Sequence, residues 1–179
     1  MIYLDNSAST LIKPKEVILT VNQCLSKFTA NPGRSGHRES LMTAMQVEYV
    51  RENIADFMGL EHFERVIFTH NCSDALNLAI LGSVKQGGHI VCTENEHNSV
   101  LRPLNHLKTS NMIDFSIVNK TSDKGITAKD IEKAIRPNTY MVICNHISNV
   151  NGDVAEIKKI GALCKQKNIL FLVDGAQSG

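Results

Sequence analysis

The chain has 179 residues, 42% hydrophobic and 21% charged, with a formal net charge of +1. That length suits one domain with a sizeable core, and the interspersed, balanced charge argues against nucleic-acid partners and membrane-surface attraction. No apolar run is long enough for a membrane span, and the N-terminus lacks a basic segment leading into an apolar one, so a cytoplasmic protein is expected. Five cysteines (Cys24, Cys72, Cys92, Cys144, Cys164) are scattered without a Cys-x-x-Cys pair, and the histidines show no paired metal spacing. Neither a disulfide framework nor a metal site is indicated.

Residues 1–60 read as an irregular N-terminal segment with helices. One helix starts at Pro14, a loop broken by Pro32, Gly33 and Gly36 follows, and a second helix covers 39–58. Val47, Val50, Ile54, Phe57 and Met58 recur there at helical spacing, and Gly59 suits the stop. Residues 61–179 then alternate. Strands are expected at 65–69, 89–93, 114–119, 140–146 and 169–174, and helices at 73–82, 99–108, 127–135 and 154–167. The last helix sets Val154, Ile157, Ile160, Gly161 and Cys164 on one face and lysines on the other. This alternation predicts an α/β fold with three α/β/α layers and a mostly parallel sheet.

Parallel strands bring the residues after their C-terminal ends to one edge, where ligands bind. After the first expected strand, Asn71-Cys72-Ser73-Asp74 opens a helix whose free amides and Ser73 hydroxyl suit a phosphate, although Ser73 also serves as an ordinary N-cap. His97 follows the second strand, Asn149 the fourth, and Asp174 and Gln177 the fifth. Asp174 ends a run of five apolar residues, where an unpaired carboxylate is costly. Pyridoxal 5'-phosphate uses the whole set: Asp174 for its ring nitrogen, Gln177 and Asn149 for its ring oxygen, His97 for its face, and Cys72 and Ser73 for its phosphate. At a helix N-terminus the Cys72 thiol is open to two readings, a reactive thiolate or an inert thiol.

Six segments in order, at residues 3–10, 31–37, 68–77, 96–99, 148–152 and 173–177, resemble the N-terminal part of the cysteine desulfurases. These belong to the class V aminotransferase group of fold-type I pyridoxal-phosphate enzymes. The family usually has threonine where Ser73 stands and a small residue where Cys72 stands. The resemblance implies His97 as an acid/base candidate, and Arg34 and His37 as substrate neighbours at the entrance. It implies conversion of L-cysteine to L-alanine with an enzyme-bound persulfide, and a sulfur acceptor protein.

The resemblance further implies that the lysine holding the cofactor, the persulfide cysteine, the last strands of the large domain and the C-terminal small domain lie beyond residue 179. On that basis residues 61–179 are a partial cofactor-binding domain, inactive alone. The strand at 65–69 needs a homodimer partner or a complementing C-terminal half to cover it, or a rearranged sheet. Serine–glyoxylate-type aminotransferases and kynureninase-like hydrolases share the Asp-x-x-Gln tip and are the alternative among enzymes. Residues 31–37 and 148–152 favour the desulfurase. A truncated or split module that binds only cofactor or partner is the alternative outside enzymes.

Overall fold

The computed structural model describes residues 2–6, 8–34, 36–121, 123 and 125–178. Ser7 and Ser35 of the quoted segments, and Gly179, lie outside the described residues. The chain divides into two compact units, Met1–Phe68 and Thr69–Gly179.

In the first unit, α1 (Lys15–Lys27) and α2 (Arg38–Met58) precede a single 3-10 turn at Phe63–Arg65. Pro14 stands before the first turn of α1, where its missing N–H costs nothing. Gly59 ends α2 in the left-handed region at φ 66°, which glycine adopts without strain. The apolar stripe read on α2 does not form a core: Val50 and Ile54 are exposed, and Phe57 and Met58 more so, while Ser40, Thr43 and Ala55 are its buried residues. Helical spacing correctly marks the element here but not what covers its face. The strand expected at 65–69 is also absent. The segment leaves the 3-10 turn extended, joins no ladder, and exposes Ile67 and Phe68. Its β-rich composition has no neighbouring strand to pair with among the described residues.

The second unit carries α3 (Cys72–Gly82), β1 (Gly88–Thr93), α4 (Asn98–Thr109), β2 (Ile113–Val118), α5 (Ala128–Ala134), β3 (Thr139–Asn145), α6 (Ile157–Gln166) and β4 (Leu170–Asp174). Its sheet is fully parallel, in the order β2-β1-β3-β4. The chain steps from β1 outward to β2, then returns across β1 to β3 and continues to β4. Right-handed crossovers in opposite directions put their helices on opposite faces. Accordingly Ile90, Cys92, Met141 and Ile143 pack against α3 and α4, while Val91, Val142 and Cys144 pack against α5 and α6. Alternate strand residues thus feed two cores, giving the three expected layers.

Two boundaries differ from the sequence reading. Val154 precedes α6 and pairs with Ile147 in an isolated antiparallel bridge, half-exposed, so the buried face of α6 is Ile160 and Cys164. The five apolar residues before Asp174 read as a buried strand. Instead β4 is the sheet's edge, with Leu170 exposed and only Asp174 fully buried. Among the described residues, no helix is long and apolar enough to cross a membrane.

Candidate functional site

The direction of the chain reverses between β1 and β3, and their loops diverge to opposite faces of the sheet. Such a switch point opens a crevice beyond the strand ends. A cavity of about 330 Å³ lies there, lined by Glu94, Glu96, His97 and Asn98 after β1 and by Ser148 and Asn149 after β3. His97 and Asn149, chosen from sequence, therefore meet at one cavity.

The N-terminus of α3 is capped by Asn71, whose Oδ1 accepts the Asp74 N–H at 2.8 Å. Ser73 is not the cap, and the Asp74 amide is not available to a ligand. The amides of Cys72 and Ser73, in the first turn of the helix, have no intrahelical acceptor. Asp74 reaches toward His70, with 3.4 Å between its Oδ2 and the histidine Nδ1.

His97 caps α4 in the same manner: its Nδ1 accepts the Ser99 N–H at 3.1 Å. Nδ1 is thereby committed as an acceptor, so the neutral ring carries its proton on Nε2. The Ser99 hydroxyl lies 2.7 Å from His97 Nδ1 and 2.6 Å from the Ser73 hydroxyl, linking the two helix starts. A second tie runs through Asn77, whose Nδ2 donates to the Ser73 carbonyl at 2.8 Å and the Ser99 carbonyl at 3.4 Å. Pro103 explains the second bond. It lies inside α4 without an N–H, so the Ser99 carbonyl lacks its helical donor, and Asn77 supplies one.

Asn149 stands in a turn between β3 and α6 that closes by Ser148 N–H to Asp153 O and Gly152 N–H to Ser148 O, both 3.0 Å. Gly152 makes the reversal at φ 73°. Asp153 anchors this turn to the neighbouring tips, accepting from Lys120 Nζ at 2.5 Å, Asn151 Nδ2 at 2.9 Å and Asn95 Nδ2 at 3.5 Å. Lys120 holds the Asp153 carboxyl below its ordinary range.

At the tip of β4, Asp174 is 4% exposed. Its Oδ1 accepts the Ala176 N–H at 3.0 Å and lies 3.6 Å from the Cys72 thiol. The described residues supply it with no cationic partner. Partial burial, and then the Asp174 charge, push the Cys72 thiol above its ordinary value, the direction of the inert-thiol reading. Gln177 shares the turn after Asp174 and is half-buried.

Glu96 went unread in the sequence. It is 7% exposed, and its Oε1 accepts both the Thr93 hydroxyl and the Asn145 N–H. Its sequence signals are an acid directly before His97 in a short strand-to-helix loop and its place at the head of the 96–99 segment. In the first unit Arg34 is exposed, and His37 caps α2 by accepting the Ser40 N–H at 3.2 Å.

A parallel α/β/α unit with its polar residues gathered at a switch point defines an α/β ligand-binding fold. The chain belongs to the aminotransferase class-V family, whose sequence model matches residues 2–179. It is 34% identical, over 99% of its length, to a probable cysteine desulfurase of Pyrococcus abyssi, of which it covers 44%. The apo cysteine desulfurase of Thermococcus onnurineus NA1 superimposes with a TM-score of 0.87 at 35% identity, covering 99% of this chain and 44% of that one. SspA in complex with cysteine gives 0.89 at 32%, covering 98% of this chain and 51% of SspA. The chain thus spans about half the length of these relatives or less.

Proposed function

We propose that this chain forms the recognition part of a pyridoxal 5'-phosphate site in an enzyme of the cysteine desulfurase type. One observation carries the reading: a buried carboxylate without a cation, Asp174, touches the first residue of a helix whose opening amides lack acceptors. An acid awaiting a cation and amides awaiting an anion are what a protonated pyridine bearing a phosphate requires. The residues present fit the group.

When bound, the cofactor supplies an electron sink for bond breaking at an amino acid's α-carbon. Asp174 holds the proton on the ring nitrogen. The Cys72 and Ser73 amides and the Ser73 hydroxyl bind the phosphate, and Gln177 and Asn149 orient the ring oxygen. His97 covers the ring face and, with its proton on Nε2, offers an acid at the substrate side. The family resemblance adds Arg34 and His37 as substrate neighbours.

We read the substrate as L-cysteine, a reading supported by the cysteine-bound relative SspA. Conversion to L-alanine with persulfide transfer to an acceptor protein belongs to the longer protein that the relatives represent, and residues 61–179 are a partial cofactor domain of it. A homodimer partner or a C-terminal half covers the 65–69 segment, where Ile67 and Phe68 are exposed, in a cytoplasmic setting. Fluorescence titration with pyridoxamine 5'-phosphate, which has no aldehyde to react with surface lysines, tests the site. Binding should be lost in D174A and weakened in S73A. Equal binding by wild type and D174A would overturn the reading.

A further inference from the structure

Glu96 raises a question of charge. It is buried between the ends of β1 and β3, facing Thr93 and Cys92 on β1, Asn145 and Cys144 on β3, and the charge of Asp174 on β4. No cation is among these groups. The two donors that reach it converge on one oxygen: the Thr93 hydroxyl at 2.5 Å and the Asn145 N–H at 2.8 Å both bind Oε1. Oε2 is buried and has no partner. An ionised carboxyl spreads its charge over both oxygens, and a desolvated, unpaired oxygen is a severe cost. A carboxylic acid fits the same donors better, its carbonyl oxygen accepting twice and its hydroxyl bearing the proton.

Its position matters as much as its charge. Asn145 is opposite Asp174 in the β3–β4 ladder, and the His146 N–H donates to the Asp174 carbonyl at 3.0 Å. Asn145 is bound twice by the loop carrying His97, through Glu96 Oε1 and through its own Nδ2 to the Asn95 carbonyl at 3.1 Å. One link from His97 to Asp174 therefore runs through Asn145, and Glu96 grips it.

We propose that Glu96 is a positioning residue, an un-ionised carboxylic acid that fixes the His97 loop to the β3 tip and adds no second charge beside Asp174. Glu96 touches neither ring nor substrate in this arrangement; it acts through Asn145 and His97. The positioning role rests on the pyridoxal-phosphate reading above, whereas the un-ionised state does not. Burial, opposed by hydrogen bonds from Thr93 and Asn145 and aided least by the Asp174 charge, raises the carboxyl above its ordinary value of 4.5, in the same direction.

The test uses the full 179-residue chain as wild type, E96Q and E96A. Gln keeps the double acceptor and replaces the hydroxyl by an uncharged donor, whereas Ala removes the grip. A group protonated in the fold but ionised in the unfolded chain makes stability fall as pH rises from the unfolded toward the folded pKa. The difference in melting temperature between E96Q and wild type, measured without ligand, should therefore grow in favour of E96Q as the pH rises above 4.5. A flat difference would overturn the un-ionised state.

Pyridoxamine 5'-phosphate titration reads the positioning role. E96Q should bind within about threefold of wild type, and E96A, if folded by circular dichroism, should bind about tenfold or more weakly. If E96A does not fold, E96D, which shortens the reach while keeping the acid, takes its place with the same expectation. Wild-type-like binding by folded E96A or E96D would overturn positioning, as would loss of binding in E96Q. Absence of binding by wild type itself would overturn the cofactor reading and positioning with it, while the melting comparison still decides the protonation state.

Discussion

The Cys72 thiol lies 3.6 Å from Asp174 Oδ1, so the residue that opens α3 is held by the acid that closes β4. The contact joins positions 102 residues apart and adds to burial in raising the pKa of the thiol. Cys72 should alkylate slowly at neutral pH, because partial burial and the neighbouring charge both disfavour thiolate. In D174N the charge is gone and the rate at a fixed pH should rise by about threefold or more. Iodoacetamide kinetics against pH, with C72S as the blank, would show it; unchanged kinetics in D174N would mean the acid does not govern the thiol.

Asn77 and Pro103 form a coupled pair through the Ser99 carbonyl. N77A should destabilise the chain by about 1 kcal/mol, the loss expected for a hydrogen bond whose acceptor goes unpaired. P103A restores a backbone donor to that carbonyl, so N77A should cost less in the P103A background. A double-mutant cycle in urea measures the difference, and strict additivity would remove Asn77 from the role given to it.

His89 governs the acid side of stability. It is fully buried at the start of β1, with Nδ1 2.8 Å from the Thr139 hydroxyl and Nε2 3.0 Å from the Ser116 hydroxyl. Burial, and then Arg136, lowers its pKa below 6.5, so the fold keeps it neutral while the unfolded chain takes up a proton. Stability from this group is full above the unfolded pKa and is lost as pH falls through 6.5 toward the lower folded value. H89Q, which can donate and accept without titrating, should flatten the loss in melting temperature between about pH 6.5 and about pH 5.

Asp153 should matter for the loop rather than for the core. D153A releases Lys120, Asn151 and Asn95 together, so the amides at residues 148–152 should exchange with deuterium faster while those of β1 and β3 are unchanged. If Asn149 orients the cofactor, the same variant should also weaken pyridoxamine 5'-phosphate binding. Unaltered exchange in the loop would show that Asp153 does not anchor it.

What the sequence disclosed depended on how locally each feature is encoded. The strand and helix alternation from residue 72 onward was legible because each element carries its own period and the two cores sort by alternate residues. The segment at 65–69 misled because Val66, Ile67 and Phe68 have strand composition, and composition cannot supply a ladder partner. Val154 was assigned to a helix because its apolar spacing continues that of α6, although a bridge to Ile147 claims it first.

Within the site, His97, Asn149 and Asp174 were found by position, each following a strand end. Asn71 was passed over for Ser73, although Asn71 and Asp74 are spaced like an N-cap and its third helical residue. Glu96 was invisible for another reason. Nothing in a polar loop says which of two acids, Glu94 or Glu96, turns inward, and that is settled by the distance to the β3 backbone.

The place of Asp174 on an edge strand has a kinetic side. β1 and β3 are hydrogen-bonded on both flanks and open only when the sheet does, whereas β4 has one flank secured by β3. An edge strand frays by sub-global opening at lower free energy than the strands inside it. The acid proposed to fix the ring nitrogen is thus delivered by one of the two edge strands of the described sheet. A ligand gripping Asp174 would slow the exchange of β4 amides far more than those of β1, transferring to the edge a protection that the sheet by itself reserves for its middle.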